Sequence, residues 1–194
     1  MSTSQVQSAK GRRTKGNNFE SKIAKLLTAW SGVKFNRSPS SGAWGSTHGV
    51  YSNIAGDIIT EHPDWNYSLE LKNHESWELQ YIPLSQGEIP SFWEQALGDA
   101  IRTERVPMVV LHKNRSKNWA IVPQSNKLQL KLSKAGKPFF SSELRYHRDR
   151  EDDDKVYPIL TFILEDLLEV FTFEDLIEET PELFKVWLKQ YDND

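Results

Sequence analysis

The residues best suited to chemistry are Asp57, Glu70 and Lys72. They sit in two runs, Asn53–Thr60 and Tyr67–Asn73, separated by His62-Pro63-Asp64-Trp65-Asn66. Two apolar or β-branched runs around such a polar turn read as a hairpin. Side chains alternate along a strand, so Leu69 and Leu71 share one face and Ser68, Glu70 and Lys72 the other. Asp57 falls inside an otherwise apolar run, where a solvated charge is unexpected. If the runs pair, an Asp, a Glu and a Lys converge on one patch of sheet, enough to hold a divalent cation and a water beside a phosphate. Hard carboxylate oxygens suit Mg²⁺ or Mn²⁺, and magnesium keeps several waters and takes few protein ligands. Asp57 and Glu70 would be those ligands, with the Leu71 carbonyl as a third oxygen. Lys72 lies one pleat beyond Glu70, about 7 Å along the strand. From there its ammonium can orient or activate an attacking water and offset phosphate charge. Taken singly, each residue has a plainer reading: Glu-x-Lys is a frequent edge-strand charge pair, and Asp57 could be a turn residue.

The elements that must position this set can be read along the chain. Residues 1–16 are polar, contain Gly11 and Gly16, and read as a loosely attached basic tail. Asn17 or Asn18 can cap a helix in which Phe19, Ile23, Leu26, Leu27 and Trp30 recur at helical spacing, ending at Gly32. Glu20 lies at the margin of that apolar stripe. It either points inward, to reach a metal directly or through water, or is a first-turn acid favoured by the helix dipole. Val33–Arg37 reads as a short strand, followed by the small-residue loop Ser38–Gly49 containing Ser40, Ser41 and Trp44. That loop is either a phosphate- and base-contacting element or a linker. Ser91 is placed to cap a second helix carrying Phe92, Trp93, Ala96, Leu97, Ala100 and Ile101, with Gln95 beside its apolar face. Val106–Leu111 and Trp119–Val122 read as strands. The order α-β-β-β-α-β-β predicts a mixed sheet with helices packed on it, an α/β (α+β) fold. Residues 124–148 carry no clear pattern. Pro158–Val170 reads as a short strand and then mostly helix, Thr172 and Asp175 as a capping-box variant, and Thr180-Pro181 as a further helix start. The expected division is a tail over 1–16, a core over 17–148 and an acidic helical extension over 149–194.

Composition excludes several classes. The 194 residues suit one domain with a modest appendage. With no cysteine there is no disulfide framework, no thiolate zinc site and no cysteine nucleophile. No apolar run would span a bilayer, and the first residues lack signal-peptide order, so a cytoplasmic protein is the expectation. The net charge of −3 conceals an asymmetry. Up to residue 40, Lys10, Arg12, Arg13, Lys15, Lys22, Lys25, Lys34 and Arg37 face only Glu20, whereas acids dominate from Asp149 onward. A basic front end is either a footprint for a polyanion or a solubilising tail.

Taken together, Lys15-Gly16-Asn17-Asn18-Phe19-Glu20, the serine/glycine loop Ser38–Gly45, Gly56-Asp57-Ile58, Glu70-Leu71-Lys72 and Phe92-Trp93-Glu94-Gln95-Ala96 resemble the PD-(D/E)xK nuclease superfamily. The likeness is nearest to archaeal-type Holliday-junction resolvases and small phage endonucleases, and it covers about residues 15–123 in the expected order. It implies a restriction-endonuclease-like core and Mg²⁺-dependent hydrolysis of DNA, with Mn²⁺ able to substitute. It places Glu20, Asp57, Glu70 and Lys72 in catalysis, and Gln95, Ser40, Ser41, Trp44, Lys15 and Arg37 in support or DNA contact. Branched DNA and a symmetric homodimer are the implied partners. A same-fold nuclease acting on linear duplex or restriction-type sites, or a non-catalytic DNA-binding accessory protein, stays open. One departure is visible: Gly56 replaces the proline of the motif.

Overall fold

The computed structural model describes residues 3–38, 56–146, 155–179 and 184–185, with side chains from Thr14 onward. Ser40, Ser41 and Trp44 lie outside the described residues. Helix α1 runs from Thr3 to Ser31 and ends at Gly32, whose φ of +72° supplies the left-handed stop. Its start lies far ahead of the expected cap, so Asn17 and Asn18 are interior residues and residue 16 is no boundary of structure. The intervening Gln, Ala, Lys and Arg are good helix formers. Each interior glycine costs about 1 kcal/mol relative to alanine, and a helix already nucleated absorbs that cost.

A seven-stranded sheet follows in the order β1-β2-β3-β4-β5-β7-β6. Its members are β1 (Phe35–Arg37), β2 (Ile58–Thr60), β3 (Tyr67–Asn73), β4 (Val106–His112), β5 (Trp119–Pro123), β6 (Phe139–Tyr146) and β7 (Lys155–Ile163). The expected hairpin is β2–β3, and β1 and β2 are antiparallel with Arg37 opposite Ile58. β3 and β4 are parallel, joined by α3 (Ile89–Arg102). A parallel pair needs such a crossover. The short α2 (Tyr81–Leu84) lies in the connection before it. Ser91 does not cap α3. The helix begins two residues earlier with Pro90 in its first turn, where proline is favoured, and the Ser91 hydroxyl donates to the Glu88 carbonyl at 2.8 Å.

The chain beyond β5 departs most from expectation. α4 (Asn126–Lys134) and β6 fill the segment without a clear pattern, and Ser125 caps α4 by accepting from the Leu128 amide at 3.2 Å. β7 is a nine-residue strand seated between β5 and β6, so the sheet extends past residue 148 into the supposed extension. Tyr157, Ile159, Leu160, Thr161 and Phe162 are all buried. A strand covered on both faces shows a continuous apolar run and mimics a buried helix in sequence. Pro158 is tolerated because pairing with β5 ends at Ile159. α5 (Leu164–Val170) and α6 (Phe173–Ile177) follow. The Thr172–Asp175 capping box is present in both directions, with the Asp175 carboxylate accepting from the Thr172 amide at 3.0 Å and the Thr172 hydroxyl accepting from the Asp175 amide at 3.2 Å. Residues 180–183, where a further helix was expected to begin, lie outside the described residues. This mixed sheet with flanking helices is the α/β, restriction-endonuclease-like architecture. Among the described residues no helix is long and apolar enough to cross a membrane.

The two helices that matter for the cleft lie on opposite faces of β3. Lys72 reaches α3, donating to Gln95. Asn73, on the alternate face, donates to the Lys15 carbonyl of α1 at 3.4 Å. Phe19, Ile23 and Leu27 of α1 and Phe92, Trp93, Ala96 and Leu97 of α3 are buried in one core.

Gly56 is the tightest point of this frame. Its φ is +78°, and a Cβ there would meet the Leu69 carbonyl oxygen at 2.5 Å. Proline needs φ near −65°, so the motif's proline cannot stand here, and this chain reaches the same turn with glycine. Gly56→Ala should lower stability in urea denaturation by about 2–4 kcal/mol, from left-handed strain plus a backbone clash. Gly98, exposed in α3 with open space around its Cα, is the control. Gly98→Ala should raise stability by about 0.5–1 kcal/mol.

Candidate active site

The cleft opens where two strands part. β2 is registered with β3 only through Ile58 and Leu69. Just upstream, Asp57 takes over the role of a strand neighbour with its side chain. Its amide donates to the Leu69 carbonyl at 2.7 Å, and its carboxylate Oδ2 accepts from the Leu71 amide at 2.8 Å. Its own carbonyl accepts from the Ser38 amide at 2.9 Å, tying the end of β1 to the same point. Asp57 thus stands at the mouth of β2 rather than in mid-strand, and it is buried. The N–H and C=O of one extended residue point to the same edge. The Leu71 carbonyl therefore faces the edge on which Asp57 sits.

From β3, Glu70 and Lys72 point together toward α3. Lys72 Nζ lies 2.5 Å from Glu70 Oε1, donates to Gln95 Oε1 at 2.9 Å, and rests 5.1 Å from the centroid of Phe92. Phe92 and Gln95, three residues apart on α3, form one ledge of that helix. The Glu70 side chain is 5% exposed and that of Lys72 15%. Burial, and then the charge of Asp57, push the Glu70 carboxyl up to about 7 against the opposing pull of Lys72. Two carboxylates held near one another out of water oppose each other's ionisation.

Glu20 enters from α1. Its Oε2 accepts from Arg37 Nε at 2.5 Å, while Asn17 Oδ1 accepts from the same guanidinium at 3.0 Å. One cleft of about 580 Å³ is lined by Lys15, Glu20, Asp57, Glu70, Leu71, Lys72 and Gln95, together with Gly16, Asn73, His74, Glu75 and Ser76. Seven sequence-selected residues therefore meet in one place. Arg37 is not in the lining and acts on it through Glu20. Lys15 lies 3.8 Å from Glu75 across the cleft.

Sequence reading missed Phe92, Asn17, His74, Ser76 and Glu75. Phe92 was assigned to the core and Asn17 to a cap, although one supports Lys72 and the other Arg37. His74 and Ser76 directly follow the Glu-x-Lys strand, and that adjacency was their available signal. Both contact Glu88, Ser76 at 2.6 Å and His74 at 3.5 Å.

The donor set accommodates a small divalent cation in one respect and limits it in another. Asp57 and Glu70 are two buried acids, and burial together with the charge of Asp57 raises the proton affinity of Glu70; a backbone carbonyl lies on the same edge, and a dication would relieve the repulsion. Yet among the described residues no three acidic or histidine side chains come together as a metal-holding group. The fit is to a hard ion that takes two carboxylates and keeps its remaining positions for water.

No curated protein and no solved structure matches this chain. A family model described as "Phage putative PDDEXK endonuclease" matches residues 11–178, from within α1 to the end of α6. The chain belongs to this family of phage PDDEXK endonucleases, a class of nucleases that generally use divalent metal ions.

Proposed function

We propose that the protein is a Mg²⁺-dependent DNA endonuclease, with Mn²⁺ able to substitute, and that branched DNA such as a four-way junction is its favoured substrate. The observation that carries the hydrolytic reading is the meeting of Asp57, Glu70 and Lys72 in one cleft at the parting of β2 and β3. Asp57, Glu70 and the Leu71 carbonyl would hold the ion. When bound, it would supply Lewis-acid charge stabilisation and a more acidic water.

The chain's own groups have separable tasks. Lys72, fixed by Glu70, Gln95 and Phe92, presents one ammonium toward the cleft, where it can orient a water against phosphorus and offset the charge that builds on the phosphate oxygens. Gln95 and Phe92 restrict where that ammonium can point, so the geometry is set before substrate arrives. Glu70 serves as a ligand only when ionised. The excess of Lys and Arg in the first 40 residues suits a phosphate backbone as partner, and Lys15 brings one of those cations to the cleft. Matched cuts in two strands of a junction favour a symmetric dimer.

The test is cleavage of a panel of four-way junction, flap, linear duplex and single-stranded DNA with Mg²⁺ at controlled salt. Asp57→Ala and Lys72→Ala should each lower the rate by a factor on the order of 10³, with junction binding by Lys72→Ala better preserved than cutting. Undiminished cutting by either variant removes the site. Preferential cutting of linear duplex retains the chemistry and replaces the substrate.

The raised Glu70 value also predicts a pH dependence of metal-free stability. Below about pH 4.5 the carboxyl is protonated in both folded and unfolded chains and carries no penalty. As pH rises from there to about 7, the unfolded chain loses the proton while the folded chain keeps it, so wild type loses stability across that window. Glu70→Gln should therefore match wild type near pH 4 and exceed it by about 2–3 kcal/mol at pH 8 in EDTA, as read from chemical denaturation. Equal stability of the two proteins at pH 8 would mean that burial and the charge of Asp57 do not hold the Glu70 carboxyl above its ordinary range.

A further inference from the structure

We propose that Glu20 is a positioning residue for Arg37, setting its guanidinium as a phosphate clamp beside the cleft, and is not itself a ligand of the metal. This rests on the endonuclease reading above.

Arg37 is gripped on two edges by one helix. Glu20 Oε2 accepts from Nε at 2.5 Å, and Asn17 Oδ1, three residues earlier on α1, accepts from an Nη at 3.0 Å. A planar guanidinium held at two edges cannot rotate, and the contacts use two of its five N–H donors. The remaining donors suit the bidentate recognition of a phosphate. The pair is shielded, with side chains 34% and 11% exposed for Arg37 and Glu20, so it is not an ion pair of the weak, fully solvated kind.

Placement ties the clamp to the chemistry. Arg37 pairs with Ile58, the residue after Asp57, and Ser38 is hydrogen-bonded to Asp57 itself. The clamp therefore starts one strand spacing, about 4.8 Å, from Ile58, the chain neighbour of the residue proposed to hold the ion. Charge argues the same way. Asp57 and Glu70 line one cleft, the charge of Asp57 opposes that of Glu70, and both gain from a dication there. Glu20 and Glu70 each meet one cation, Arg37 and Lys72, but Glu70 also stands against the charge of Asp57, so a dication relieves a repulsion at Glu70 and would meet chiefly the repulsion of Arg37 at Glu20. The absence of a three-acid metal group among the described residues agrees with this division.

Two titrations on the full chain test it. Mn²⁺ binding to the DNA-free protein is measured by calorimetry for wild type, Asp57→Asn, Glu20→Gln, Glu20→Ala and Arg37→Ala. Binding of a labelled four-way junction and of a linear duplex is measured in Ca²⁺ over a salt series. Glu20→Ala and Arg37→Ala should each weaken DNA binding by about tenfold, the worth of a charge-assisted contact. Arg37→Ala should also lower the salt slope by about one. The double variant should be no weaker than Arg37→Ala alone, because the two residues act as one unit. Glu20→Gln keeps an oxygen for Nε and should restore most of the affinity lost in Glu20→Ala. Mn²⁺ affinity should fall in Asp57→Asn and hold in every Glu20 variant. Loss of Mn²⁺ affinity in Glu20→Gln comparable to that in Asp57→Asn, or additive losses in the double variant, would overturn the assignment. Unchanged Mn²⁺ affinity in Asp57→Asn would instead overturn the metal site on which it rests.

Discussion

β2 keeps step with β3 for a single registered pair, Ile58 with Leu69, and the rest of the site depends on that early parting. A longer hairpin would have covered the edge of β3 with backbone. Here the Asp57 carboxylate accepts the Leu71 amide instead, which satisfies a buried donor and leaves the next stretch of edge open. The same hydrogen bond fixes an acid beside Glu70, which the alternation of β3 already turns toward α3. The sheet therefore makes its own cleft at the point where its ladder ends. Gly56 makes the parting possible, since the turn into Asp57 has a positive φ and brings its Cα against the Leu69 carbonyl.

Holding two carboxylates there works against stability, and the surrounding residues limit the penalty. Lys72 offsets Glu70 directly, and Gln95 and Phe92 keep Lys72 in place. Even so, the Glu70 carboxyl stays well above the usual carboxylate range. A group left that uncomfortable in the folded chain has more to gain from a ligand that brings positive charge. On the α1 side the arrangement differs: Glu20 is satisfied by Arg37 and Asn17. The acids of one cleft therefore stand in two electrostatic situations, which the sequence motif alone does not separate.

How much of this could be read from sequence follows from what each signal is. The hairpin, the buried β4 and the grouping of Asp57, Glu70 and Lys72 were readable because period-two alternation and residue spacing translate directly into faces, and Gln95 joined them only through the family resemblance. The α1 start was not, because two glycines mimic a boundary at a cost too small to break a growing helix. β7 was misjudged because a strand buried on both faces lacks alternation, and the leucines of α5 continue its apolar run. The partnership of Arg37 with Glu20 joins residues 17 apart on different elements, and only the packing of α1 on β1 brings them together. The substitution of glycine for the motif's proline gained a reason only when the backbone angle was known.

The family match shows the kind of enzyme, and the geometry narrows where its chemistry can lie. The most direct measurement is a crystal of the protein soaked in Mn²⁺ and recorded at the manganese absorption edge. The expected result is an anomalous peak bonded to oxygens of both Asp57 and Glu70, with Glu20 still on Arg37. A peak elsewhere in the cleft, or none with manganese at saturating concentration, would contradict it.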